Sequence, residues 1–84
     1  MTDLYLKAAD EAEMNAVLIA AGLAYDDEGV LTPAFGVSLD VIGPIPERDG
    51  YHVNVRSYDL TEAQLAELQP VIIVPPEQPY RVWA

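Results

Sequence analysis

The sequence predicts a small α+β protein of the split βαβ, or ferredoxin-like, type. In this fold two helices cover one face of a four-stranded antiparallel sheet, and here an extended C-terminal tail follows. Four segments have the apolar pattern of strands, and two have the apolar spacing of helices. These segments follow one another as strand, helix, strand, strand, helix, strand. The 84 residues suffice for a single domain, which we expect at residues 1–75.

The first strand and the first helix lie at the N-terminal end of the sequence. In Leu4–Ala8, leucine or alanine alternates with a tyrosine or lysine, which predicts a short strand with one apolar face. Asp10 is placed to cap the helix that follows, and Glu13 stands three residues later, as in a capping box. Gly22 is placed to end this helix in the left-handed conformation. The buried stripe of the helix, at positions i, i+3, i+4 and i+7, consists of Met14, Val17, Leu18 and Ala21.

A small hairpin and two longer strands come next. Tyr25–Thr32 has an acidic tip and a glycine, which are typical of a tight hairpin or loop. Gly43–Gly50 contains two prolines and two glycines, so we expect a loop there. In Tyr51–Arg56, apolar residues alternate with polar ones, which predicts another strand. The strand before the loop has an apolar face made of Phe35, Val37, Leu39 and Val41.

The second helix has the clearest boundaries in the sequence. Thr61 is its predicted N-cap, and Gln64 completes a capping box. Pro70 cannot continue a helix and ends it. Val71–Val74 is a continuous apolar run, which is typical of an interior strand covered on both faces. The inward-facing residues of the helix are Leu65 and Leu68.

The charge and the composition exclude several classes of function. Fourteen acidic residues against four basic ones give a net charge of −10, and there is no cysteine. The missing cysteines exclude disulfides, zinc knuckles and thiol catalysis. The negative charge argues against binding to nucleic acid or to anionic membranes, and no signal peptide or membrane span is visible. We therefore expect a soluble, intracellular protein. The scattered basic residues are Lys7, Arg48, Arg56 and Arg81.

The single histidine is the first candidate for catalysis. His52 and Ser57 are an odd number of residues apart in one strand, so their side chains leave opposite faces of the sheet and cannot pair. We expect His52 on the solvent-exposed polar face, beside Asn54 and Arg56. A lone surface histidine lacks the orienting partners that catalysis requires.

The clustered carboxylates also have structural explanations. Asp26, Asp27 and Glu28 are adjacent, whereas a calcium loop needs carboxylates at alternating positions. Asp10 and Glu13 are explained by their capping role. The sequence therefore predicts no catalytic, cofactor-binding or metal-binding residue, and we expect the protein not to be an enzyme.

The C-terminal segment, residues 76–84, is the predicted binding site. It is rich in proline, which favours an extended and exposed backbone. Tyrosine, arginine and tryptophan are enriched at interface hot spots. The segment either folds back as an extra edge strand or docks into a partner, which can be a second copy of the chain. The predicted partner-binding residues are Tyr80, Arg81, Val82 and Trp83.

Several stretches of the chain resemble a group of small proteins that are encoded in the tail region of tailed bacteriophages and prophages. The stretches are LYLKAADEAEMNAVLIAAGL near the start, GVSLDVIGPI, YHVNVR and the closing RVWA. The most specific pieces are Gly36–Ile42, Gly50–Arg56 and Pro79–Ala84. Members of the group carry a longer insertion between the second and third strands, where this chain has only Gly43–Gly50. The resemblance implies a role in tail structure or tail assembly, in the cytoplasm of the bacterial host or in the virion, and implies no catalytic residue.

The function expected from the sequence is therefore contact with another protein. We expect a non-enzymatic phage or prophage protein that binds phage tail proteins, as a minor tail component or an assembly factor. The alternative is an acidic inhibitor that mimics nucleic acid and blocks a DNA-binding enzyme of the host.

Overall fold

The computed structural model describes residues 2–45 and 48–73. The predicted tail at residues 76–84 lies outside these ranges. The α+β class, with a four-stranded antiparallel sheet and two helices, is confirmed. The strands and helices are β1 (Thr2–Ala8), α1 (Glu11–Ala20), β2 (Ala24–Asp27), β3 (Val30–Pro33), β4 (Val37–Ile45), β5 (Arg48–Ser57), α2 (Glu62–Leu68) and β6 (Ile72–Ile73).

The main sheet has the strand order β4-β5-β1-β6, so β5 and β1 are its interior strands. Strands β1 and β5 pair antiparallel over seven residues, with Leu6 opposite Val53 and Asp3 opposite Arg56. The cross-strand partners share a face, so one face of β1 and β5 is apolar and the other is largely polar. Strands β2 and β3 form a separate two-stranded hairpin.

The hydrophobic core joins the apolar face of the sheet to both helices. Its largest fully buried side chains come from strands, helices and the turn after α1. They belong to one cluster, so the two helices are held to the sheet by the same core. The members are Leu6, Met14, Leu18, Leu23, Val53, Val55 and Leu68.

Helix α1 begins and ends as its sequence predicts. The carboxylate of Asp10 accepts a hydrogen bond from the Glu13 N–H at 2.8 Å. The Glu13 carboxylate accepts from the N–H of Ala9, one residue before the cap, at 3.3 Å. Gly22 has a φ of +75°, the left-handed conformation expected just after a helix. The predicted stripe is confirmed, because Met14 and Leu18 are buried in the core.

Helix α2 has the complete capping box that its sequence predicts. Thr61 Oγ1 accepts from the Gln64 N–H at 3.1 Å, and Gln64 Oε1 accepts from the Thr61 N–H at 2.9 Å. The helix ends at Leu68, before Pro70, and the side chain of Leu68 is buried. Two donors at the start of the helix thus have partners within four residues of sequence.

The predicted hairpin at Tyr25–Thr32 is confirmed. Tyr25 pairs with Thr32, and Asp27 pairs with Val30. The two turn residues, Glu28 and Gly29, have φ values of +52° and +86°. Positive φ at both central residues is the conformation that two-residue hairpins prefer, because its twist matches that of the strands.

The prediction of a loop over Gly43–Gly50 is wrong for the residues of this range that the structure describes. Strand β4 continues to Ile45 and β5 starts at Arg48, with Gly43 opposite His52 and Pro44 opposite Tyr51. The register shifts after Val41 and again after Pro44. Glycine with positive φ accommodates the first shift, and proline is tolerated in an outer strand, so neither residue ends the pairing here.

The apolar run Val71–Val74 is not an interior strand in the described part of the chain. Ile72 and Ile73 pair with Leu6 and Tyr5 of β1, and β6 is the outermost of the described strands on that side. Both isoleucines are half-buried. Val74 lies outside the described residues. Here the continuous apolar run correctly predicts a strand, but it does not predict whether that strand is interior or outermost in the sheet.

Neither described helix has the length and apolar character that a membrane span requires.

Candidate functional site

The predicted partner-binding residues, Tyr80–Trp83, lie outside the described residues, so their role stays a prediction. Among the described residues, the most unusual surface is an aromatic cleft at the entrance of β4 and the exit of β5. We use the name aromatic cleft for the surface lined by residues 34–37 and 57–59 together with Gly22 and Gln64; its aromatic residues are Phe35 and Tyr58. It consists of side chains that the sequence did not single out as binding residues.

Phe35 is the first component of the cleft. The alternation of apolar residues predicted it on the buried face of a strand, and that prediction is wrong. Phe35 is fully exposed, with a relative accessibility of 106%. Gly36 has a φ of +79°, and the Val37 N–H donates to the Ala34 carbonyl at 3.0 Å, so Phe35 lies at the outer corner of a turn. The strand and its alternation begin only after this turn.

Tyr58 is the second component, and a backbone contact holds it beside the first. The Tyr58 N–H donates to the Gly36 carbonyl at 3.1 Å, directly beyond the paired residues Val37 and Ser57. Tyr58 is 72% exposed. Two large aromatic side chains from segments 23 residues apart in sequence are thereby presented on the same side of the molecule.

A cleft of about 400 Å³ lies between these aromatic residues and the start of α2. Its polar lining includes Ser57, Asp59 and Gln64. Ser57 is buried and its hydroxyl accepts from the Asp59 N–H at 3.4 Å, whereas the Asp59 side chain is exposed. The oxygen of the Gln64 side chain is bound by Thr61, and its amide nitrogen lies on the side of Gly22. The cleft thus combines aromatic faces, a carboxylate and an amide donor.

The lysine and arginine side chains that the structure describes are both bound to carboxylates. Arg56 donates to Asp3 through two nitrogens, at 2.8 and 3.0 Å, and Lys7 donates to Asp49 at 3.3 Å. These hydrogen bonds lower the pKa of Asp3 and of Asp49 below the ordinary value of 3.8. The described surface therefore presents carboxylates to solvent, while the Lys7 and Arg56 side chains are paired within the molecule.

His52 does not lie at the surface, so that prediction is wrong. It is 6% exposed and Asn54 is 3% exposed. Both residues lie in β5, an interior strand flanked by β4 and β1. In the described part of the chain, His52 Nδ1 is a buried side-chain atom without a hydrogen-bond partner. His52 lines neither the aromatic cleft nor a second, more open cleft at Lys7, Glu13 and Asp49.

The acidic turn of the β2–β3 hairpin is exposed, as its sequence predicts. Asp26, Asp27 and Glu28 all face solvent. Among the described residues, no three histidine or carboxylate side chains are grouped so that they could hold a metal ion. Adjacent acids on a tight turn point in different directions, which explains why they do not converge on one point.

Comparison with known proteins gives no relative, since no family model, no curated protein and no solved structure matches the chain.

Proposed function

We propose that this protein is a non-enzymatic bacteriophage or prophage protein that acts by binding another protein, as a minor tail component or a tail assembly factor. The phage context rests on the resemblance of LYLKAADEAEMNAVLIAAGL and RVWA to small proteins encoded in tail regions. The observation that carries the binding role is the exposure of Phe35 beside Tyr58.

Exposed aromatic side chains are unfavourable unless something covers them. Burying one large apolar side chain is worth about 1.5–3 kcal/mol, and this stabilisation is missing at Phe35 and Tyr58 in the free chain. Aromatic residues are enriched in protein interfaces and among the residues that contribute most to binding. A partner that covers both side chains recovers this free energy.

The C-terminal residues Tyr80, Arg81, Val82 and Trp83 are the second part of the proposed contact surface. Their residue types are those of interface hot spots. In this proposal the partner that binds the contact surface is a phage tail protein. The alternative partner is a second copy of the chain.

The scaffold of the proposed contact is a split βαβ fold. Leaving out the β2–β3 hairpin, the strands that come first, second, third and fourth along the chain are β1, β4, β5 and β6. Their spatial order, β4-β5-β1-β6, supports this assignment, because the third strand lies between the first two and the fourth lies beside the first. The aromatic cleft then lies at one end of the β4–β5 strand pair.

The test is a quantitative pull-down with the full-length chain from cells in which the phage or prophage is induced. The variants are Phe35→Ala, Tyr58→Ala and a chain lacking Pro79–Ala84, and the control is Val30→Ala. Val30 is 64% exposed but lies on the hairpin, outside the cleft. We expect a phage protein to be captured by the intact chain and by the control, and lost with each of the other variants.

Two results would contradict the proposal. Equal capture by all variants means that neither surface binds the partner. Unfolding of the chain that lacks Pro79–Ala84, seen by circular dichroism, means that the segment belongs to the core rather than to an interface.

The alternative function, inhibition of a host DNA-binding enzyme, is supported by the exposed carboxylates. Glu11 and Glu13 at the start of α1 and Asp26–Glu28 on the hairpin all face solvent. A complex that depends on the carboxylates alone weakens steeply with added salt and does not change with Phe35→Ala, whereas a complex anchored by aromatic residues is lost with Phe35→Ala at any ionic strength. Pull-downs of the native chain and of Phe35→Ala at low and moderate ionic strength separate the two functions.

A further inference from the structure

We propose that the aromatic cleft receives a cationic side chain, arginine above all, from a basic segment of the protein partner. This inference rests on the proposed function, because it names the chemistry of the partner at the same surface.

The lining of the cleft suits a guanidinium group. The faces of Phe35 and Tyr58 carry partial negative charge and attract a cation placed over them. Asp59 adds an exposed carboxylate at the same cleft, which can accept charge-assisted hydrogen bonds from arginine. Arginine combines a planar group that stacks on aromatic rings with donors that fit a carboxylate, which lysine does not.

The polar groups deeper in the cleft suit the backbone of the same segment. Gln64 Oε1 is bound to the Thr61 N–H, so the side-chain amide of Gln64 is held in one orientation. Its nitrogen, on the side of Gly22, is then a donor for a peptide carbonyl. A Cβ at Gly22 would come within 3.9 Å of that nitrogen and would narrow this side of the cleft.

The charge of the chain selects a basic partner over a second copy. The net charge is −10, and the described cations Lys7 and Arg56 are bound to Asp49 and Asp3. A second copy would bring a further net charge of −10 to the contact and would be repelled. A basic segment would be attracted within the electrostatic screening length, which is about 8 Å at physiological ionic strength.

The experiment is a titration of the isotope-labelled full-length chain with a short synthetic peptide, acetyl-Gly-Arg-Gly-Arg-Gly-amide, followed by amide resonances. The matched probe replaces both arginines by citrulline, which keeps the shape and removes the charge. We expect the arginine peptide to shift the amides of residues 34–37 and 57–59 and the citrulline peptide to leave them in place.

Two matched pairs of variants locate the binding site. Asp59→Asn and Asp27→Asn remove the same charge, but only Asp59 lines the cleft. Phe35→Ala and Val30→Ala each remove an exposed apolar side chain, but only Phe35 lines it. We expect Asp59→Asn and Phe35→Ala each to weaken peptide binding about two- to fivefold, and the two controls to leave it unchanged.

Several results would overturn the inference. They are equal binding of the citrulline peptide, equal effects of Asp59→Asn and Asp27→Asn, and arginine-peptide binding that requires deletion of Pro79–Ala84. The last result would make the chain's own tail the occupant of the cleft.

The two proposals fail in different ways. If the arginine peptide does not bind but the pull-down still depends on Phe35, this inference is wrong and the proposed function stands. If the pull-down is indifferent to Phe35, Tyr58 and Pro79–Ala84, the proposed function is wrong whatever the peptide does.

Discussion

Arg56 binds the carboxylate of Asp3 at two points, with Nε 2.8 Å from Oδ1 and an Nη nitrogen 3.0 Å from Oδ2. The two residues are directly opposite each other in β5 and β1. The pair therefore connects the two interior strands of the sheet on the face opposite the core. The hydrogen bond from Arg56 is the main reason why the pKa of Asp3 is lowered.

Asp3→Asn should reduce the acid sensitivity of the fold. Because the pKa of Asp3 is lower in the folded chain than in the unfolded chain, its contribution to stability is present above the unfolded pKa of about 3.9 and is lost as the pH falls through the lower folded pKa. We expect a small loss of stability at neutral pH, because the pair is partly exposed, and a flatter decline below about pH 4.

Urea unfolding at a series of pH values measures this effect. Asp27→Asn, an exposed carboxylate of the hairpin, is the control for the lost charge. Parallel acid profiles for the native chain and Asp3→Asn would show that the pair does not stabilise the folded state.

Tyr51→Phe should reduce the alkaline sensitivity of the fold. Burial against the core raises the pKa of Tyr51 above 10.0, and the nearby charge of Glu11 adds to the shift. The stabilisation is fully present below the unfolded pKa of about 10 and is lost as the pH rises through the higher folded pKa. We expect the stability of the native chain to fall more steeply above about pH 10 than that of Tyr51→Phe. Identical alkaline profiles would count against this assignment.

Leu18→Ala and Ile19→Ala compare a core position with a surface position in the same helix. Leu18 has no exposed surface, whereas Ile19 is 44% exposed. Leu18→Ala should lower the free energy of unfolding by about 2–5 kcal/mol because it leaves a cavity. Ile19→Ala should change it by less than about 1 kcal/mol. Equal losses in urea unfolding would mean that α1 does not pack on the sheet through Leu18.

Gly50→Ala and Gly29→Ala separate backbone strain from crowding. Both glycines have positive φ, +95° and +86°, so each substitution should cost about 1–2 kcal/mol in strain. Nothing lies within 4 Å of a Cβ at Gly29, whereas a Cβ at Gly50 would meet Lys7 Cε at 2.6 Å and the Ala8 carbonyl at 3.0 Å. Gly50→Ala should therefore be the more damaging change.

A second substitution checks the crowding at Gly50. The substitution Lys7→Ala removes the side-chain atoms that a Cβ at Gly50 would meet, but it leaves the Ala8 carbonyl in place. In the Gly50→Ala chain it should therefore restore part of the stability lost to crowding. Equal stability of the Gly29 and Gly50 variants would show that the Lys7 side chain moves aside at no cost.

The helix boundaries and the hairpin turn were predictable because their causes are local. Asp10 binds the Glu13 N–H three residues away, and Thr61 and Gln64 bind each other across one helical turn. The two positive φ values at Glu28 and Gly29 depend on those two residues and their immediate neighbours. Interactions of this range leave their pattern directly in the sequence.

The aromatic cleft was predictable only in part. Gly36, which follows Phe35, was a local signal that the backbone turns there and that the alternation begins later. The placement of Tyr58 beside that turn depends on the pairing of β4 with β5, which joins residues about 20 positions apart. No sequence pattern within one strand records which residues of another strand lie opposite.

The sequence alone determined the α+β class, the order of strands and helices, the caps of both helices and the acidic hairpin, since these depend on side chains within a few residues of one another. Only the tertiary structure decided that His52 is buried, that Phe35 is exposed and that β4 and β5 pair through Gly43 and Pro44. Burial depends on which other parts of the chain cover a residue, and pairing depends on contacts between distant parts of the chain, so neither is determined by local propensity.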